Sequence, residues 1–411
     1  SKRDSSAGRY ARMKIKQIRI KGFKTLNDVV FTPGRINVFV GANGSGKTTL
    51  LEAIGILSAA MTDRVDHNAL NRKGIRLSVP ELYQSSFKDL ARRSSTIGFN
   101  IAWQQADDEY EYSVNLNVPS ENDNARKDMW RYHSEALLQN GKKLWGRSGA
   151  SQASYDPYVG FFMLDQDKEL LKVRSVVDAF RTYGIFQPNT PTLRGTQGDP
   201  YQSNPIGLCG GRLAEAIEEI LCENVDGDML IGDMPLDELI ELIDWIDDFN
   251  VAAPKKTSIN SAVPTTRRLL EFTDRYMRSS AHFTAYDASE GALYVLFLMA
   301  LALHPDAPSV FAVDSFDHAM HPRLARAATR LFSNVMLQKG KTAFITTHNP
   351  LVLDGLDLQN DDIRLFAVDK NRINGHTTLN RIQITPDLLD SGYSLSRLWL
   401  EGRLGGVPNL L

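Results

Sequence analysis

Cysteine is scarce in this chain. Cys209 and Cys222 alone cannot build a disulfide framework, and neither sits at a metal-ligand spacing, which suits a reducing compartment. Long apolar runs are missing too. The longest, residues 292–303, is too short to cross a bilayer, and residues 1–12 are polar and basic without the apolar core of a signal peptide. These absences predict a soluble, cytoplasmic protein with no membrane association. Lysine and arginine are absent from residues 213–254, where thirteen Asp and Glu stand, whereas the first 50 residues hold eleven Lys and Arg against two Asp. The basic end suits a nucleic acid or an acidic partner, or simply a solvated strand face. No internal repeat, coiled-coil heptad run, Ser/His/Asp hydrolase pattern or nuclease-type acid cluster stands out. What remains is ordinary globular composition, 42% hydrophobic and 23% charged, in 411 residues that suit two or three domain-sized units.

The most informative stretch is Gly41-Ala42-Asn43-Gly44-Ser45-Gly46-Lys47-Thr48-Thr49, which fits the G-x-x-x-x-G-K-[ST] phosphate-loop pattern. An apolar, β-branched run at residues 36–40 precedes it and a helical pattern follows from Lys47 to about residue 60. Strand, glycine loop, helix is the context the chemistry needs. Glycines let backbone N–H groups curl around phosphate oxygens, and the helix start adds its positive dipole end. Lys47 is expected to reach the β- and γ-phosphates of ATP, and Thr48 to hold Mg²⁺.

The rest of the chain reads as alternating strands and helices. Residues 13–20 alternate as a half-buried strand, residues 29–31 form a second, and residues 96–103 and 110–118 form an antiparallel hairpin with a longer loop. Residues 119–158 are polar. Lys127, Arg131, Lys142, Lys143 and Arg147 beside Trp130, Tyr132 and Trp145 suit single-stranded nucleic acid, but a mobile or solvated insertion is the favoured reading. A strand is expected near residues 183–186, acidic helices at 212–224 and 235–249, and helix or strand at 267–278. Residues 289–304 read as a buried helix, 310–313 as a strand ending in Asp314, 323–337 as a helix, 342–347 as a strand ending before His348, and 363–369 as another strand. Polar groups at the C-terminal ends of strands describe a nucleotide-binding α/β sheet.

The order of these pieces resembles the ABC-type ATPases of the SMC/RecF superfamily. The resemblance rests on residues 18–25, on the Asn-Gly-Ser-Gly-Lys form of the phosphate loop, on Ala288-Ser289-Glu290-Gly291, on Asp314 and on His348. Residues 188–194, 207–216 and 400–408 resemble, within that superfamily, the ATPases of bacterial anti-phage defence loci. The resemblance implies an ABC-type P-loop ATPase head, with a mixed sheet flanked by helices and N-terminal antiparallel strands, and an inserted, largely helical subdomain. Residues 1–120 and 281–411 would form the head and 121–280 the insert. It further implies that Gly41, Asn43, Gly44, Ser45, Gly46, Lys47, Thr48 and Thr49 bind nucleotide. Ser289 and Gly291 would contact the γ-phosphate held by a second subunit. Thr48 and Asp314 would support Mg²⁺, and His348 would sense the γ-phosphate. Gln84, Gln104 and Gln187 all remain candidates for the glutamine that links nucleotide to insert.

One departure stands out. The family places a catalytic Glu after the Walker B Asp, and here that position is Ser315. A serine does not polarise water as a carboxylate does. Either Asp317 substitutes as the base, or hydrolysis is slow and ATP acts mainly as a conformational clamp, the reading favoured here. His318 and His321 beside Asp314 and Asp317 also suggest a metal site, but the segment matches one that lines the dimer interface in relatives. The function implied is an ATPase that forms a homodimer or higher homo-oligomer around ATP and controls a separate nuclease or toxin effector in anti-phage defence. The effector is expected to be a separate protein because no nuclease domain is recognisable after Pro350. The alternative is a RecF-like DNA-repair ATPase that binds DNA in an ATP-dependent manner. A transporter subunit fits least.

Overall fold

A computed structural model describes residues 12–123, 126–148, 155–164, 173–201, 204–278 and 282–404. The basic residues 1–11 and the family-like residues 405–408 therefore lie outside the described residues.

Two large sheets form the head. The first is antiparallel, in the order Leu26–Phe31, Met13–Phe23, Ile97–Gln105, Asp108–Asn117, Arg131–Gln139 and Lys142–Arg147. Alternation, shifted once by a bulge between Ile15 and Gln17, builds it: Ile18 and Ile20 are fully buried, while Lys14, Arg19 and Lys21 face solvent. The basic N-terminal stretch is thus, in its described part, the wet face of a strand, with Arg19 paired to Asp28 at 2.7 Å. The second sheet runs Thr377–Ile382, Ile363–Lys370, Ile36–Val40, Thr342–Thr347, Val310–Val313 and Ile185–Phe186. Its strands are parallel except for the Thr377–Ile382 edge. Ile36–Val40, Thr342–Thr347 and Val310–Val313 are buried throughout, as parallel strands covered on both faces must be.

The helix Lys47–Thr62 fills the space between the sheets and is buried at every residue except Thr48 and Thr49. A ring cluster of Phe31, Phe39, Phe344 and Phe366, with centroids 5.3–6.4 Å apart, ties the sheets together there. On the other face of the parallel sheet, the helix Glu290–Leu303 is buried from Gly291 onward and anchors a second core.

Four expectations are corrected. Residues 119–158 are not a solvated insertion: Trp130 and Tyr132 are 1% and 0% exposed, and two strands from this stretch extend the first sheet. Of the aromatics that suggested base stacking, Trp130 and Tyr132 are core residues and Trp145 packs half-buried against that core, and Arg147 is held by an ion pair to Glu135 in which both side chains are fully buried. The hairpin loop is also shorter than expected, since Ala106, at φ 54°, and Asp107 alone join its strands. The insert is not largely helical. Among its described residues, the helices Arg174–Arg181, Leu213–Ile220 and Leu236–Leu242 are short, and they alternate with two three-stranded ribbons. The helix expected over residues 235–249 stops at Leu242, and Ile246–Ala252 is instead a strand that places Phe249 opposite Phe272. Ile243, Ile246 and Phe249 satisfy a helical stripe in sequence, but pairing with Leu269–Asp274 buries the same side chains and completes a ladder. That pairing also makes residues 269–274 a strand.

Candidate nucleotide site

The loop leaves the end of Ile36–Val40 and enters the helix at Lys47. Three of its glycines are sterically required. A Cβ on Gly41 would collide with the carbonyl of Val368, and one on Gly46, at φ 115°, would sit 2.5 Å from Thr377 Oγ1. Gly44 adopts φ 76° in open space. No side chain caps the helix start, so its first N–H groups remain available to an anion. Ser45 Oγ is buried with no hydrogen-bond partner, while Asn43 and Gly44 are exposed. Thr49 is half-buried in the first turn. Lys47 Nζ donates to the carbonyls of Gly41 at 2.6 Å and Ala42 at 2.9 Å. Burial pushes its ammonium down to about 8, against the opposing pull of Asp314. A cation curled over its own loop, an orphaned hydroxyl and an uncapped helix start together fit a polyphosphate.

Asp314 follows Val310–Val313, and its carboxylate gathers three donors. Thr48 Oγ1 lies 3.0 Å away, Gln187 Nε2 lies 3.3 Å away, and Thr346 Oγ1 also donates to it. Thr48, Gln187 and Asp314 come from three elements and supply oxygen atoms of the type Mg²⁺ prefers. Asp317 accepts from Thr347 Oγ1 at 2.6 Å. His348 directly follows the strand end. Partial burial and Lys47 hold its imidazole below the usual histidine value of 6.5, while Asp317 and Asp314 pull the other way. His318 packs against Tyr294 with ring centroids 5.8 Å apart, and His321 accepts from the N–H of Arg323 at the next helix start. Among the described residues, no group of three or more His, Cys, Asp or Glu is arranged to hold a metal ion.

The structure thus brings together the loop, Asp314, Asp317 and His348, but not Ser289 and Gly291. Those two open the helix Glu290–Leu303 and face a separate cleft of about 840 Å³, whose walls include Trp245, Glu241 and Leu324 and none of the phosphate-loop residues. Ser289 is exposed, and Trp245 Nε1 donates to its Oγ at 3.3 Å. One contributor was left undecided by the sequence and another went unseen. Gln187 stood level with Gln84 and Gln104, although its place just past an expected strand was a usable signal. Trp245 gave no signal, because the helix expected there does not form.

Comparison with known proteins agrees with this geometry. Residues 13–168 match a family described as "AAA ATPase domain", and residues 224–354 match one described as "AAA domain, putative AbiEii toxin, Type IV TA system". The DNA replication and repair protein RecF of Lactococcus lactis subsp. cremoris is 37% identical over 81 residues, 19% of this chain and 21% of that protein. RecF of Pseudomonas fluorescens is 43% identical over 53 residues, 13% of this chain and 14% of that protein. The matches thus span about a fifth or less of these relatives' length. Among solved structures, the SMC head bound to the C-terminal winged-helix domain of ScpA superposes with a TM-score of 0.53 at 12% identity, covering 90% of this chain and 98% of that one. The Pyrococcus furiosus SMC head with an extended coiled coil, bound to the C-terminal domain of ScpA, gives 0.52 at 11%, covering 95% and 100%. At such identity these two speak for the fold alone. The two family matches, one on each half of the chain, and the phosphate loop set beside Asp314 agree with an ATPase whose fold is similar to that of SMC heads.

Proposed function

We propose that this protein binds ATP with Mg²⁺, closes head-to-tail on a second copy around the nucleotide, hydrolyses it slowly, and thereby controls a separate effector in anti-phage defence. The observation that carries the reading is the division of the site. The loop, Asp314, Gln187 and His348 converge at the C-terminal ends of the parallel strands, while Ser289, exposed, and Gly291, buried, line another cleft. A half-site of each kind on one chain is completed by a second copy. Residues 41–49 would hold the phosphates, and Thr48, Asp314 and Gln187 would hold Mg²⁺, which neutralises charge on the β- and γ-phosphates. The defence role draws on the family match over residues 224–354. Residues 121–280 are the region assigned to the trigger or effector.

Sedimentation with and without Mg-ATP tests the assembly. The wild type is expected to shift from monomer to dimer. Ser289→Arg, on an exposed side chain, is expected to remain monomeric while binding ATP normally. A nucleotide-independent dimer, or an unchanged shift in Ser289→Arg, overturns the half-site reading.

Slow hydrolysis rests on Ser315. Its backbone sits at φ 55°, so a side chain already occupies a left-handed position there and glutamate adds little new backbone strain. Ser315→Glu is expected to raise steady-state turnover by about 10-fold or more, short of the roughly 100-fold at which a well-placed general base begins. Unchanged phosphate release would mean that the missing base is not at that position.

The local RecF similarity favours a second reading, a DNA clamp. Mg-ATP-dependent DNA affinity that falls steeply with salt, without any effector, would establish it over the first.

A further inference from the structure

The helix Lys47–Thr62 starts at the phosphate loop and ends about 24 Å away, at 1.5 Å per residue. Beside that far end lies a cleft of about 350 Å³ whose lining includes Arg64, Arg72, Lys73 and Arg181. None of the phosphate-loop residues, Asp314, Gln187 or His348 lines it. The cleft has an apolar wall as well, from Ala59, Phe186 and Leu208, and Asp63 is the single carboxylate among the lining residues.

Lys73 is 7% exposed. Its Nζ donates to the carbonyls of Arg181 at 3.0 Å and Tyr183 at 3.3 Å, and so ties its loop to the end of the helix Arg174–Arg181. Burial, with Arg72 and Arg181 close by, pushes this ammonium down to about 7. Capping a helix end explains Lys73, but it does not explain why Arg64, Arg72 and Arg181 converge on the same concavity. The carboxylates within reach are weak counterweights. Asp63 is 3.8 Å from Arg64, and Asp178, one turn from Arg181, is 3.4 Å from it, both pairs well exposed to solvent. Cations gathered in a concave site repel one another unless an anion joins them. Guanidinium forks suit phosphate oxygens, and the cleft volume falls within the range of small-molecule sites.

We propose that this cleft binds a phosphate-bearing small molecule of nucleotide size, at a site separate from the ATP site. Arg64, Arg72 and Arg181 grip the phosphates, and the Ala59, Phe186 and Leu208 wall accepts the apolar part of the ligand. The helix between the two sites gives a bound ligand a direct mechanical link to the phosphate loop. The proposal does not depend on the role in defence.

The test uses inorganic pyrophosphate in titration calorimetry on the full chain carrying Lys47→Ala, which removes competition from the phosphate loop. About one equivalent is expected to bind with a dissociation constant below about 1 mM. Adding Arg72→Ala and Arg181→Ala is expected to weaken it at least about 10-fold, and the two lysine replacements to restore part of it. With Lys47 intact, the double alanine variant is expected to unfold at the wild-type temperature and to bind ATP normally. Both arginines are exposed, and exposed Arg64→Ala serves as an independent variant. Absence of pyrophosphate binding in Lys47→Ala, or binding indifferent to all these arginines, overturns the proposal. So does arginine-dependent binding of a DNA duplex without pyrophosphate binding, which would make the face a nucleic-acid surface instead.

Discussion

Asp314→Ala is expected to lower ATP turnover by at least about 100-fold while leaving the fold intact. The carboxylate is where Thr48, Thr346 and Gln187 meet, so its removal takes the common acceptor from three elements at once. Support for a divalent cation is worth several kcal/mol, and about 3 kcal/mol corresponds to roughly 100-fold in rate. The cost to folding is smaller, because Asp314 is half-buried and water replaces it as an acceptor for the hydroxyls it leaves. Asp314→Asn keeps the shape and loses the charge, so a similar loss there assigns the effect to charge rather than packing. Single-turnover hydrolysis of labelled ATP is the right measurement, since Ser315 makes slow steady-state rates the expectation. Turnover within threefold of wild type in Asp314→Ala would remove this residue from the site.

Arg147→Met is expected to destabilise the protein by about 3–5 kcal/mol, the usual cost of breaking a buried ion pair from one side. Glu135 and Arg147 are both fully buried and 2.9 Å apart. Glu135 also accepts from Tyr112 and from the N–H of Phe161, while Arg147 donates to the carbonyls of Asp156 and Val159. Methionine fills similar volume, so what is lost is the partner of a buried carboxylate and the donors to two carbonyls. The further change Glu135→Gln removes the stranded charge and is expected to recover part of the loss, a coupling that a double-mutant cycle reads directly. Urea unfolding of the four proteins checks both statements. A loss below about 1 kcal/mol in Arg147→Met would show that this end of the first sheet does not depend on the pair.

Arg147 also shows where reading the sequence goes astray. In a polar stretch with interspersed tryptophan and tyrosine, an arginine suggests a nucleic-acid surface. Its charge instead neutralises a glutamate twelve residues away, a pairing set by a strand register that neither residue announces. The acidic segment after residue 235 misled in another way, because its apolar spacing fits a helix and a strand equally well. The buried parallel strands at the candidate site, in contrast, were legible nearly to the residue, since a strand buried on both faces requires a continuous apolar run bounded by a polar residue.

Residue order by itself determined the phosphate loop, the strand ahead of it, the helix after it, and the placing of Asp314 and His348 at strand ends. Each depends on a requirement satisfied within a few residues: glycine where the backbone must turn left-handed, and an apolar run before a polar terminus. Only the tertiary structure decided that Gln187, rather than Gln84 or Gln104, reaches Asp314, that Trp245 holds Ser289, and that Ser289 and Gly291 line a cleft apart from the loop. Those facts depend on which strands lie side by side. Adjacency is settled by burial of apolar faces contributed from distant parts of the chain, and local spacing carries no record of it.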